Sequence, residues 1–88
     1  MDTRKLEKIV KGFANHRRIQ ILDLLGKKPG LSVFEISEEL NVNFKTISEH
    51  LRRLTFSGLV VKSNRGAEVE HIISGLGRLI LKFLRTLE

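Results

Sequence analysis

The sequence predicts a mainly helical α+β domain, with a three-helix core, a β-hairpin after it, and a flanking helix at each end. Three observations predict it. Apolar residues recur at helical spacing in five separate stretches. Two of the helices so marked are joined by only about three residues, the spacing of a helix-turn-helix. Apolar residues alternate with polar ones around Asn64-Arg65-Gly66, which marks two short strands before a final apolar helix. The 88 residues suit a single domain over positions 1–88. A chain this short buries a modest fraction of its surface, so a second subunit would add useful core.

The elements follow in order. Leu6, Ile9, Val10 and Phe13 stand at i, i+3, i+4 and i+7 of a first helix that Gly12 helps to end. Asn15 is a good N-cap for a second, whose Ile19, Ile21, Leu22, Leu24 and Leu25 cover much of its circumference and place it centrally. Lys27-Lys28-Pro29-Gly30 stops it, because cations suit a helix C-terminus while Pro and Gly resist continuation. Ser32 and Glu35 form a capping box for a third helix that buries Val33, Ile36 and Leu40 and ends at Asn41, a residue that tolerates the left-handed region. Asn43 caps a fourth helix with Ile47, Leu51 and Leu54 inward and Gly58 at its end. Leu59-Val60-Val61 reads as a strand, and Asn64-Arg65-Gly66 as its turn. The return strand sets Val69, His71 and Ile73 on one side against Glu68, Glu70 and Ile72. Ser74 caps a last helix carrying the stripe Leu76, Leu79, Ile80, Phe83, Leu84 and Leu87. Taken together, this is the order of a winged helix-turn-helix, with the hairpin as wing.

Composition narrows the function. Hydrophobic residues at 41% and charged residues at 30% are ordinary for a folded chain. The absence of cysteine removes disulfides, thiolate metal sites and a cysteine nucleophile. No signal-peptide core and no long apolar run is present, so a cytoplasmic location without membrane contact is expected. The net charge of +6 favours polyanionic partners, since cations placed on phosphates release condensed counterions. That excess is mainly amino-terminal: residues 1–28 hold eight basic and three acidic side chains, residues 29–57 three and four.

Two segments resemble the ArsR family of winged-helix repressors. FANHRRIQILDLL, residues 13–25, is similar to the family's entry into its second helix, with His16 where proline is usual. LSVFEISEELNVNFKTISEHLRRLTFSGLV, residues 31–60, resembles the whole helix-turn-helix through the strand leading to the wing; Thr46, Ile47, Ser48, His50, Leu51, Leu54, Gly58, Leu59 and Val60 stand at the family's spacings. The resemblance implies a dimeric, sequence-specific double-stranded-DNA-binding regulator of transcription, a repressor rather than an enzyme. It also implies what is missing. Many members sense metals through a Cys-Val-Cys element, and the matching positions here are Ser32, Val33 and Phe34; the Asp and His ligands that others carry on the last helix have no counterpart in SGLGRLILKFLRTLE.

Within that frame, the fourth helix is the recognition helix, and Asn43, Phe44, Lys45, Thr46, Ser48, Glu49, Arg52 and Arg53 are the residues expected at DNA. Lys45, Thr46, Ser48 and Glu49 lie on the half that enters the major groove and suit base edges, whereas Arg52 and Arg53 lie further along and suit phosphates. Phe44 either contacts DNA or packs on the cap region. At the wing, Lys62, Asn64 and Arg65 are expected to reach the adjacent minor groove or backbone, while Glu68 and Glu70 keep the return strand off it. Leu6, Ile9, Val10 and Phe13 with Leu76, Leu79, Ile80, Phe83, Leu84 and Leu87 would leave a large apolar patch unless a second subunit covers it, so they are assigned to a homodimer interface. The basic cluster Arg4, Lys5, Lys8, Lys11, Arg17 and Arg18 either flanks the DNA or forms a solvated face. His16, His50 and His71 have no ligand-spaced partners, so no metal is expected, and no catalytic pair or phosphate-binding glycine loop is present. A cofactor is not expected, and no small-molecule effector is identified. The competing reading is a winged-helix protein-interaction module that never meets DNA, favoured by the acidic third helix with Glu35, Glu38 and Glu39.

Overall fold

In the computed structural model, which describes residues 1–88, the chain runs α1 (Thr3–Phe13), α2 (His16–Lys27), α3 (Val33–Leu40), α4 (Phe44–Phe56), β1 (Val60–Arg65), β2 (Glu68–Ile73) and α5 (Gly75–Arg85). The mainly helical α+β winged helix-turn-helix is therefore the fold. Each helix starts where a short polar side chain satisfies amide groups that have no partner inside the helix. Asp2 Oδ1 accepts from Lys5 N at 3.1 Å, Asn15 Oδ1 from Arg17 N at 2.9 Å, and Asn43 Oδ1 from Lys45 N at 2.8 Å. At α3 both halves of the capping box form: Ser32 Oγ accepts from Glu35 N at 3.1 Å and Glu35 Oε1 from Ser32 N at 3.0 Å. Asn41 ends α3 at φ 52°, and the reversal into α4 takes only Asn41 to Asn43.

The core lies where α2, α3, α4 and the hairpin meet. Ile21, Leu22 and Leu25 of α2 pack with Ile36 of α3, with Ile47, Leu51 and Leu54 of α4, and with Leu59, Val60 and Ile73. Each such side chain contributes about 1.5–3 kcal/mol relative to an exposed one, so this cluster fixes how α4 is held. Phe13 departs from its expected interface position: at 9% exposure it belongs to this core. The reason is that α1 does not stop at Gly12. A Cβ at Gly12 would fall on the Ser57 side chain, so this glycine lets α1 lie directly against the end of α4 and carries Phe13 inward.

The strands pair antiparallel from Val60 with Ile73 to Arg65 with Glu68. That register places the turn at Gly66-Ala67, with Gly66 at φ +64°, one step beyond the expected Asn64-Arg65-Gly66; Asn64 and Arg65 are instead the last two residues of β1. A glycine in the first of two turn positions matches the right-handed twist of the strands, which explains the shift. The sequence also gave no sign of a third edge: His71 N donates to Leu31 O at 2.8 Å and Gly30 N to His71 O at 3.1 Å, tying the hairpin to the loop before α3.

Candidate nucleic-acid interface

The geometry of α4 follows from its apolar spacing. Ile47, Leu51 and Leu54 are buried, which turns Phe44, Lys45, Thr46, Ser48, Glu49, Arg52 and Arg53 outward, all exposed. Phe44 is 54% exposed. Asn43 is placed differently from the others, because its Oδ1 is spent on capping, accepting also from Thr46 N at 3.3 Å. Two flanks result. One brings Asn43, Lys45, Thr46, Glu49 and His50 around a shallow depression; the other brings Ser48, Glu49 and Arg52 beside Lys62 of the hairpin and His71. The structure thus brings Asn43, Lys45, Thr46, Ser48, Glu49 and Arg52 around these two depressions, the second shared with Lys62 of the wing, whereas Arg53 turns towards α1 and Phe44 lines neither.

Glu49 sits between the two flanks and organises the charges. Its carboxylate accepts from Arg52 Nε at 3.0 Å and Nη2 at 2.7 Å, and from Arg53 Nε at 3.4 Å. The Arg52 hydrogen bonds, then its charge and that of Arg53, hold the Glu49 carboxyl down at about 2. One acid therefore engages both arginines expected at phosphates, an arrangement that i+3 and i+4 spacing on a helix would have disclosed.

Arg18 links α4 to α1. Its Nε donates to His50 Nδ1 at 3.2 Å, while Nη1 donates to the α1 carbonyls of Lys11 at 3.0 Å and Gly12 at 3.3 Å. Burial, and then the charges of Arg18 and Arg17, push the His50 imidazole below its ordinary value, which keeps it a neutral acceptor. The amino-terminal basic cluster is thus divided: Arg17 and Arg18 of α2 lie near His50 of α4, Lys8 and Lys11 of α1 lie near Phe56 and Arg53 towards the end of α4, and Arg4 and Lys5 stand apart on the first turn of α1.

At the wing, Lys62, Asn64 and Arg65 are exposed along β1, and Arg65 Nη1 lies 3.6 Å from Glu70. Glu68 is exposed at the far end of the hairpin, opposite Arg65. His71 is 2% exposed and its Nδ1 lies 3.1 Å from Leu31 O, so it serves the fold; burial lowers its pKa. No three His, Asp or Glu side chains gather in a way that could hold a metal ion.

The residues expected at a subunit interface fall into two groups. Leu6 and Val10 of α1, Leu79 and Phe83 of α5, and Leu87 just beyond its end are exposed. Ile9, Leu76, Ile80 and Leu84 are half-buried against the chain's own core, and Leu81, absent from the expected stripe, is buried against Gly26. The α5 stripe is wide because it serves two directions, inward through Leu76, Ile80 and Leu84 and outward through Leu79 and Phe83. No helix is long and apolar enough to cross a membrane.

Residues 15–62 match the family described as "Bacterial regulatory protein, arsR family". A comparison with curated protein sequences gives no match. Among solved structures, the homodimeric winged helix-turn-helix DNA-binding domain Mb0332 from Mycobacterium bovis, a possible ArsR-family regulator, is 28% identical with a TM-score of 0.88, over 97% of this chain and 79% of that one. HlyU from Vibrio cholerae is 31% identical with a TM-score of 0.85, over 99% of this chain and 97% of that one. The transcriptional repressor PagR of Bacillus anthracis is 25% identical with a TM-score of 0.85, over 96% and 97%.

Proposed function

From the premise that this chain belongs to the ArsR family of bacterial regulatory proteins and is a winged-helix DNA-binding transcriptional regulator, we propose that it works as a sequence-specific homodimeric repressor. The observation that carries the reading is α4: one side is locked into the core by Ile47, Leu51 and Leu54, and the other offers Lys45, Thr46, Ser48, Arg52 and Arg53 to solvent beside Lys62. A helix held this way presents a fixed pattern of donors and acceptors to the major groove. Lys45 suits guanine O6 and N7, Thr46 and Ser48 suit several edges, and the ionised Glu49 suits the cytosine amine. Arg52, Arg53, Asn64 and Arg65 suit phosphates, which set register without reading sequence.

A pair of subunits gives this pattern a length scale. Leu6, Val10, Leu79 and Phe83 on the two terminal helices, and Leu87 just after the second, are exposed apolar side chains, and a two-fold axis through them would remove that surface from water. The same axis would set two copies of α4 about one duplex turn apart. The Mycobacterium bovis domain is homodimeric and PagR is a repressor, which supports both parts of the reading. Repression would follow from occupancy of the duplex.

Selection of bound duplexes from a random pool, followed by fluorescence anisotropy, tests the reading. Lys45→Ala and Ser48→Ala should relax sequence choice, whereas Arg52→Ala should weaken all duplexes alike. Unchanged duplex binding in both Lys45→Ala and Arg52→Ala would show that the wrong face has been assigned.

A further inference from the structure

Most of the amino-terminal charge is not used by α4 or the wing, and the structure shows where part of it gathers. Lys8 and Lys11 of α1, Arg18 of α2 and Arg53 of α4 converge with Phe56 on a cleft beside the contact of Gly12 with Ser57, and no acidic side chain lines it. The cleft is built, because Gly12 lets α1 lie close enough to α4 for cations of three helices to meet. Arg18 is fixed there by its bonds to His50, Lys11 O and Gly12 O, and its Nη2 makes no bond inside the chain. Lys8 Nζ stands 4.2 Å from the centre of the Phe56 ring, and that ring is 68% exposed. Lys11 Nζ lies 3.7 Å from Glu7 and Arg53 Nε 3.4 Å from Glu49, and neither carboxylate lines the cleft.

We propose that this α1–α4 cleft is a phosphate-binding site, occupied by a backbone phosphate of the duplex that flanks the one read by α4. The inference rests on the DNA-binding reading above for its occupant, and on the cleft alone for its chemistry. Cations from separate helices around one opening suit a dianionic or monoanionic phosphate, with the Arg18 and Arg53 guanidinium groups as directional donors. The flat exposed face of Phe56 gives the adjoining deoxyribose an apolar surface. Arg53 belongs both to the exposed flank of α4 and to the cleft, so a strand held on α4 has a continuous cationic path towards Lys8 and Lys11.

The test is the double variant Lys8→Gln/Lys11→Gln, made on exposed side chains and checked for retained helicity. Duplex affinity is measured by anisotropy from 50 to 200 mM salt. Each lost phosphate contact should reduce the salt slope by about 0.9, so a dimer losing one per subunit should shed roughly 12-fold less affinity across that range than the unmodified chain, with sequence preference unchanged. In a second arm, inorganic phosphate is titrated at constant ionic strength into the 15N-labelled protein without DNA, and the Gly12, Phe56 and Ser57 amides are followed. A reduced slope supports the proposal whether or not free phosphate moves these amides. Amide shifts that the variant lacks, together with an unchanged slope or no duplex binding at all, keep the phosphate site but overturn the backbone as its occupant in favour of a free phosphorylated ligand. An unchanged slope with no amide shifts overturns the site itself.

Discussion

Replacing Glu49 by Gln should make the protein bind duplex DNA more tightly and less selectively. This carboxylate holds Arg52 through two hydrogen bonds of 3.0 and 2.7 Å and reaches Arg53 at 3.4 Å. With its carboxyl held at about 2, it is ionised at every pH where a duplex survives, so only substitution removes the charge. Gln keeps the size and one acceptor but ends the charge-assisted clamp. Arg52 and Arg53 meet phosphates with part of their charge already neutralised by Glu49, so Gln restores charge at contacts that exist; each full charge restored steepens the salt dependence by about 0.9, worth roughly 3.5-fold between 50 and 200 mM. One charge restored in each of two subunits would amount to roughly 12-fold over that range. Discrimination should fall at the same time, because a carboxylate on the reading face penalises every position that offers no amine. Anisotropy on random and selected duplexes at several salt concentrations reads both effects. Random-duplex affinity that stays level or drops, with an unchanged slope, would refute this account of Glu49.

Three other outcomes are expected. Gly77→Ala should destabilise the fold although alanine favours helix, because its Cβ would meet the Leu59 carbonyl oxygen and Ile73, a backbone neighbour that no rotamer change relieves. Overpacking of about 1–3 kcal/mol outweighs a propensity gain near 1 kcal/mol, whereas Gly75→Ala, which meets nothing, should be neutral or stabilising; thermal melts at one protein concentration should separate the pair by about 4–8 °C per kcal/mol, and equal melts would contradict the packing argument. His50 and His71 are both pushed below their ordinary value of 6.5, so the unfolded chain takes up protons that the folded one refuses. Stability should be complete above about pH 6.5 and decline as pH falls through the lowered values, measurable as a fall in melting temperature from pH 7.5 to 5.5 that is smaller in His50→Gln; a flat profile would count against buried neutral imidazoles. Phe83→Glu places a charge on the exposed α5 face without touching the core, and sedimentation should then give single subunits where the unmodified chain gives pairs; pairs in both would move the interface elsewhere.

Local chemistry made much of this fold legible. Ser32 with Glu35, Asn41 and Asn43 mark the ends of α3 and α4 because capping depends on residues a few positions apart, and the apolar spacing of Ile47, Leu51 and Leu54 fixes which side of α4 faces out. What depends on distant partners was not legible. Gly12 reads as a helix stop, yet it is a contact glycine whose need arises only when Ser57 lies beside it. Phe13 and Leu81 are buried by neighbours on other helices, and the pairing of His71 with Leu31 spans 40 positions. At the turn, Asn64-Arg65-Gly66 carried an ambiguity of one residue that strand register resolves in favour of Gly66-Ala67. At the interface, the outward residues of α4 could be read from the sequence, whereas the Arg18 bridge to His50 and the convergence of Lys8 with Phe56 required the packing of α1 on α4.

The most direct measurement is a titration of the 15N-labelled protein with a selected duplex, following every backbone amide. The largest changes should fall at Lys45, Thr46, Ser48, Glu49 and Arg52 and along Lys62 to Arg65, with the acidic face of Glu35, Glu38 and Glu39 undisturbed. Changes confined to α3, or none on α4 at saturating duplex, would contradict it and favour a protein partner on the acidic helix.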